Sequence, residues 1–203
     1  MKTTISTFIV VFLFGFLSPA WAVFPIVSTF DADAEGWTAD GALVSQIAAG
    51  GNPGGFLRLE DNQDNTFSAF APEKFLGDLS AFNGGQITYD ILVLDPTTPL
   101  GNIGSGFGRI QLLGGGSNAT FDYAGNPMVP SSQFWTKYYV LMTAQAWNTT
   151  PENWATVLSD VTKIDIILEP TGGATVGLDN FRLHPVPEPA TVLLFGAGLI
   201  GLL

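Results

Sequence analysis

Asp31, Asp33 and Glu35 alternate along Phe30-Asp31-Ala32-Asp33-Ala34-Glu35-Gly36-Trp37. On an extended backbone, alternate side chains share one face. Asp179 and Asn180 offer further oxygens much later in the chain. Calcium takes about six to eight oxygens from carboxylates, carbonyls and water. These residues therefore suggest a structural calcium ion held by Asp33, Glu35 and Asp179, with loop carbonyls near Asn52. The spacing is not that of an EF-hand loop, and a solvated acidic turn, with Asp179 capping backbone N–H groups, would use the same residues.

The aromatic residues suggest a second chemistry. Exposed aromatic faces stack on sugar rings while neighbouring amides bind hydroxyls. Trp37, Trp135, Trp147, Trp154, Tyr123, Tyr138 and Tyr139 are available. Trp37 and Trp154 are expected in the core. Trp147, beside Asn148 and near Gln145 or Tyr123, is the expected exposed glycan-binding position.

Catalysis has weaker support. Glycoside hydrolysis needs two carboxyls facing each other across a cleft, and no spacing singles out a pair among Asp61, Asp64, Asp90 and Asp122. The one histidine, His184, is expected beyond the last strand, at the edge of a linker, which leaves Ser/His or metal/His chemistry without a firm base. Gly104-Ser105-Gly106 and Gly114-Gly115-Gly116 lack the lysine and helix start of a phosphate loop and read as turns. The chain is not expected to be an enzyme.

Composition narrows the partners. The 203 residues carry 18 Asp and Glu against 7 Lys and Arg, a formal net charge of −11. The basic residues form no stripe, so nucleic-acid binding lacks its electrostatic footprint. With no cysteine, neither disulfides nor thiolate metal sites are available.

Glycine (24 residues), proline (13) and phenylalanine (16) are abundant, which suits short strands joined by tight turns. Strands are predicted at 26–30, 43–48, 56–60, 66–70, 86–94, 107–113, 135–143, 163–168 and 177–183. Helices are predicted at 72–82, interrupted by Gly77, and at 151–161. The second opens Thr150-Pro151-Glu152, a cap followed by proline at the first helical position. Such strand spacing points to an all-β sandwich or jelly roll.

Both ends read as address signals. Residues 1–22 have the pattern of a signal peptide: Lys2, an apolar helix over 5–17, then small residues at Ala20 and Ala22, with signal peptidase cutting after Ala22. Residues 185–203 combine a rigid proline linker with a hydrophobic helix suited to lipid or a buried partner. Val186-Pro187-Glu188-Pro189-Ala190-Thr191 resembles the PEP-CTERM sorting signal of bacterial exopolysaccharide-associated proteins. That resemblance implies recognition of Val186, Pro187, Glu188 and Pro189 by an exosortase-type membrane protease. It also implies a transient membrane hold through the tail, followed by removal or exchange of the tail. The basic cluster that ends the family's pattern is missing after Leu203, as in a truncated sequence or a weaker sorting substrate.

Residues 23–184 resemble the laminin IV type A (laminin B) domain. The similarity rests on the 30–37 segment above, on Gly50-Gly51-Asn52-Pro53-Gly54-Gly55-Phe56-Leu57, on Ala71 to Ser80, on Asn83 to Asp90 and on Gly177-Leu178-Asp179-Asn180-Phe181-Arg182-Leu183. It implies a galactose-binding-like jelly roll that is extracellular and non-catalytic, with its first and last strands side by side, as the calcium set requires. The expected role is a structural or adhesive protein of the biofilm or envelope. The alternative is a carbohydrate-binding module for extracellular polysaccharide.

Overall fold

A computed structural model describes residues 23–63, 66–95, 106–123, 130–170 and 172–186. The expected signal peptide, Pro187 to Pro189 of the sorting motif, Asp64 and Gly104-Ser105 lie outside the described residues.

Two antiparallel sheets face each other. The larger contains β3 (Ala42–Ile47), β4 (Phe56–Asp61), β11 (Thr175–His184), β6 (Gln86–Val93) and β9 (Thr136–Leu141) in that order. The short β1 (Ile26–Ser28) pairs with the end of β11, Ile26 opposite Leu183. The first and last strands of the sandwich are therefore neighbours, as the resemblance implied. The smaller sheet runs β2 (Thr38–Asp40), β5 (Ser68–Phe70), β10 (Val161–Ile167), β7 (Ile110–Gly114) and β8 (Ser117–Phe121).

Side-chain alternation divides each strand between core and exterior. In β6, Ile87, Tyr89, Ile91 and Val93 are buried in the core, while Gln86, Thr88 and Asp90 take the intervening positions. In β9, buried Tyr138 and Val140 alternate with exposed Lys137, Tyr139 and Leu141. The core is strongly aromatic. Phe181 meets Trp37 and Phe75 edge-on, each at 4.9 Å between centroids, and Tyr89 stacks on Tyr138 at 5.2 Å. Both arrangements avoid the repulsive eclipsed sandwich of rings.

Helix α1 (Pro151–Leu158) forms as predicted, with the Thr150 hydroxyl accepting from Asn153 N at 3.2 Å and Pro151 where no N–H is needed. The helix predicted at 72–82 is instead two single 3₁₀ turns, Glu73–Phe75 and Ser80–Phe82. Gly77 between them has φ +90°, which no α-helix accommodates. Gly115-Gly116 forms the two-residue hairpin between β7 and β8, both at positive φ, the twist that suits flanking strands.

Candidate functional site

The outer face of the larger sheet carries the site, and the bend in β11 creates it. Pairing between β6 and β11 is regular to Asp179 opposite Asp90, then shifts before Arg182 opposite Thr88. Asn180 sits at the shift with φ +50°, a left-handed conformation that asparagine tolerates better than most residues. Leu178 and Phe181 remain in the core. Asp179 and Asn180 are both directed to the loop between β3 and β4.

That loop is held through Asn52. Its N–H donates to Asp179 Oδ2 at 2.6 Å, and its side-chain amide donates to Asp90 Oδ2 at 3.1 Å. The Asn52 carbonyl accepts from Asn180 Nδ2 at 2.5 Å, and the same amide donates to Asp90 Oδ2 at 3.0 Å. The Asn52–Pro53 peptide is cis. Gly55 N donates to Asp31 Oδ1 at 3.0 Å, and Trp135 Nε1 donates to the Gly50 carbonyl at 3.0 Å. Trp135 also packs edge-on to Phe56, and a Cβ on Gly177 would lie 2.7 Å from the Trp135 ring. Glycine there lets the indole lie against the sheet.

Asp90 and Asp179 are both fully buried. Burial raises the Asp179 carboxyl to about 6, against the pull of the Asn52 and Asn180 N–H groups and with help from the charges of Asp90 and Asp31. Asp90 Oδ1 has no hydrogen-bond partner, and Lys137 Nζ lies 3.8 Å from it.

Above these acids is an open groove of about 270 Å³. Asn52, Asn180 and Thr88 line its floor, and Lys137, Arg182 and His184 supply its basic groups. Tyr139, which is 58 % exposed, forms part of its wall. Arg182 Nη2 donates to Asn180 Oδ1 at 2.8 Å, and His184 Nε2 lies 2.9 Å from Thr88 Oγ1. Burial, then the positive charges of Arg182 and Lys137, hold the His184 imidazole below its usual value. The site thus offers amide, guanidinium and ammonium donors beside one exposed aromatic ring.

Several expectations need correction. Trp147 is not a surface platform: it is 1 % exposed, donates to the Leu141 carbonyl at 2.9 Å and packs 5.2 Å from Trp154. Asn148 beside it is exposed at φ +46°, but without the indole face it forms no glycan site. Trp37 and Trp154 are buried as expected. His184 is not on a linker; it is the last residue of β11.

The proposed calcium ligands do not converge. Glu35 Oε1 accepts from Thr29 N and Phe30 N, and its other oxygen pairs with Lys74. Asp33 Oδ1 caps Glu35 N, and Asp179 is committed to Asn52 and Asn180. Asp33 and Glu35 are consumed in closing a turn and Asp179 in tying the Asn52 loop to β11, so these carboxylates do not fit an ion. Among the described residues no group of three or more His, Cys, Asp or Glu could hold a metal.

Lys137, Tyr139 and Arg182 were not singled out as functional. The alternation of Lys137-Tyr138-Tyr139 could have revealed an outward tyrosine beside an outward lysine.

Residues 185–203 match the PEP-CTERM protein-sorting motif. The chain carries a PEP-CTERM signal. Such a signal marks a protein for export to the cell envelope by exosortase-type sorting. No curated protein matches this chain by sequence.

In fold it is similar to the L4b domain of human laminin alpha-2, with TM-score 0.55 at 14 % identity, over 80 % of this chain and 99 % of that domain. It is also similar to the family 11 carbohydrate-binding module of a Clostridium thermocellum cellulosomal cellulase (TM-score 0.51, 14 % identity, 83 % and 99 % covered). A third likeness is to the CBM22-1 xylan-binding domain from Paenibacillus barcinonensis (TM-score 0.51, 14 % identity, 81 % and 95 % covered). The PEP-CTERM chain therefore has the laminin-type β-sandwich expected from its sequence, in an architecture shared with carbohydrate-binding modules.

Proposed function

We propose that this chain is a non-catalytic adhesive protein of the cell surface that holds extracellular polysaccharide in the groove on the outer face of its larger sheet. The carrying observation is Tyr139, an exposed ring in a groove that also holds the polar side chains of Asn52, Arg182 and Lys137. Sugar recognition uses that pairing of an apolar face with directional polar groups. The likeness in fold to carbohydrate-binding modules is consistent with it, and sorting by an exosortase-type protease delivers the domain to where such polymers lie. The hydrophobic tail holds the chain at the membrane until processing.

Hydrolysis in this groove is disfavoured by the placement of its acids. Asp90 and Asp179 are sealed beneath asparagine amides, and Asp122 is exposed on the smaller sheet's side of the molecule, beyond β8. A hydrolase needs opposed carboxyls open to one substrate.

Glycan-array and affinity-electrophoresis measurements on Tyr139→Ala test the reading. Polysaccharide retention should be lost with the melting midpoint unchanged, since an exposed surface truncation typically alters stability by within about 0.5 kcal/mol. Flat binding curves for the unaltered chain across all glycans would leave a scaffold role instead.

A further inference from the structure

Resting on the polysaccharide reading, we infer that the groove selects an acidic glycan, one bearing uronate or similar carboxylate groups. The chain as a whole is strongly acidic, with 18 Asp and Glu to 7 Lys and Arg. Yet the groove collects Lys137 and Arg182, and no Asp or Glu is among the described residues lining it. A neutral sugar needs no such concentration of cations in a protein that has few.

How the cations are paired strengthens the inference. Elsewhere Arg58, Lys74 and Lys163 are each bound to a carboxylate: Glu60, Glu35 and Asp165. Arg182 instead donates to the neutral Asn180 side chain. Its planar guanidinium can present further N–H groups as a two-pronged donor to an incoming carboxylate. Lys137 makes a looser ion pair, 3.8 Å from Asp90 Oδ1, so Arg182 is the groove cation without a carboxylate.

The acids beneath offset part of this charge, but they do not line the groove. Asp90 Oδ2 receives the amides of Asn52 and Asn180 from above, and Asp179 receives the N–H groups of the same two residues. A ligand meets Arg182 and Lys137, while both carboxylates are buried beneath the asparagines. Tyr139 supplies the ring face that holds the sugar itself, so a small free anion would use only part of the site.

The test compares polygalacturonate and alginate with their carboxyl-reduced counterparts, binding to the full chain in mild detergent by affinity electrophoresis and calorimetry. EDTA is included so that calcium cannot bridge polymer to protein. The acidic polymers should bind, and rising NaCl should weaken them. Arg182→Gln should lower their affinity about 10- to 100-fold, the range for losing a charge-assisted hydrogen bond. Arg182→Lys should fall between, because it keeps the charge and loses the fork. Melting curves of both variants show whether they remain folded.

Equal binding of parent and carboxyl-reduced polymers, unmoved by Arg182→Gln, overturns acidic selectivity and leaves the polysaccharide reading standing. Binding only to neutral glycans does the same. Failure of every polymer, acidic and neutral, overturns both.

Discussion

Asp179 shows how one residue can join fold to site. It is buried at the shift of β11, it accepts the Asn52 N–H, and its carboxyl is raised by burial to about 6. An acid whose pKa is higher in the folded state than in the unfolded chain binds its proton more tightly when folded. Its contribution is therefore greatest at low pH and is lost as pH rises from the unfolded value near 4 through about 6. Asp31 and Glu35 act in the opposite direction. The Gly55 N–H lowers Asp31. For Glu35, burial acts to raise the carboxyl, but Lys74 and the Phe30 and Thr29 N–H groups outweigh it. Their contributions are present above about 4 and are lost as pH falls below it. Chemical denaturation between pH 4 and 7 should show Asp179→Asn with a flatter pH dependence than the parent through this window. An identical slope in both proteins would mean that Asp179 titrates normally.

At the level of elements, the loop after β9 and helix α1 depend on two tryptophans packed together at a tilt. Trp147 packs beside Trp154 and Phe121 beneath the segment that leads into α1. Trp147→Ala should cost about 3–5 kcal/mol, the usual penalty for removing a large buried aromatic, read from denaturant midpoints. Glycan retention by the folded fraction should be preserved. The reverse result, with stability intact and binding gone, would restore Trp147 as a binding platform.

The same region shows what could be read from sequence. Apolar runs such as Phe56–Asp61 and Val161–Ile167 announced their strands, and Thr150-Pro151 announced the helix. The strand Thr38–Asp40 did not, because three residues of mixed polarity carry no period. Trp147-Asn148 looked like a surface pair because side-chain type alone does not reveal that a tertiary partner, Trp154, covers the ring. The groove was hidden for a related reason. It draws on residues 52, 88, 137, 139, 180, 182 and 184, and only strand order and the shift in β11 bring those positions together. The register of Asp90 with Asp179 cannot be inferred without knowing that β6 and β11 are neighbours.

Across the whole molecule, the pairing of β1 with the end of β11 fixes where the chain enters and leaves the sandwich. Ile26 lies opposite Leu183, so Val23 and Val186 emerge near the same edge. Phe24, Leu141 and Val186 are exposed large apolar residues there or close to it. Residues 23 and 186, where the described chain begins and ends, therefore lie at one pole.

The groove and the tail also share a strand. Arg182 lines the groove, and β11 gives way to the linker two residues later. The span from Arg182 to Val186 is at most about 14 Å of extended backbone. Tension between a captured polymer and a held tail would thus run through the end of β11 where Arg182 bears it, and across the β9–β6–β11 ladders where Tyr139 does. In single-molecule stretching between bound polysaccharide and the carboxyl end, polymer release should precede unfolding of the sandwich. Unfolding steps before release would show that load crosses the core.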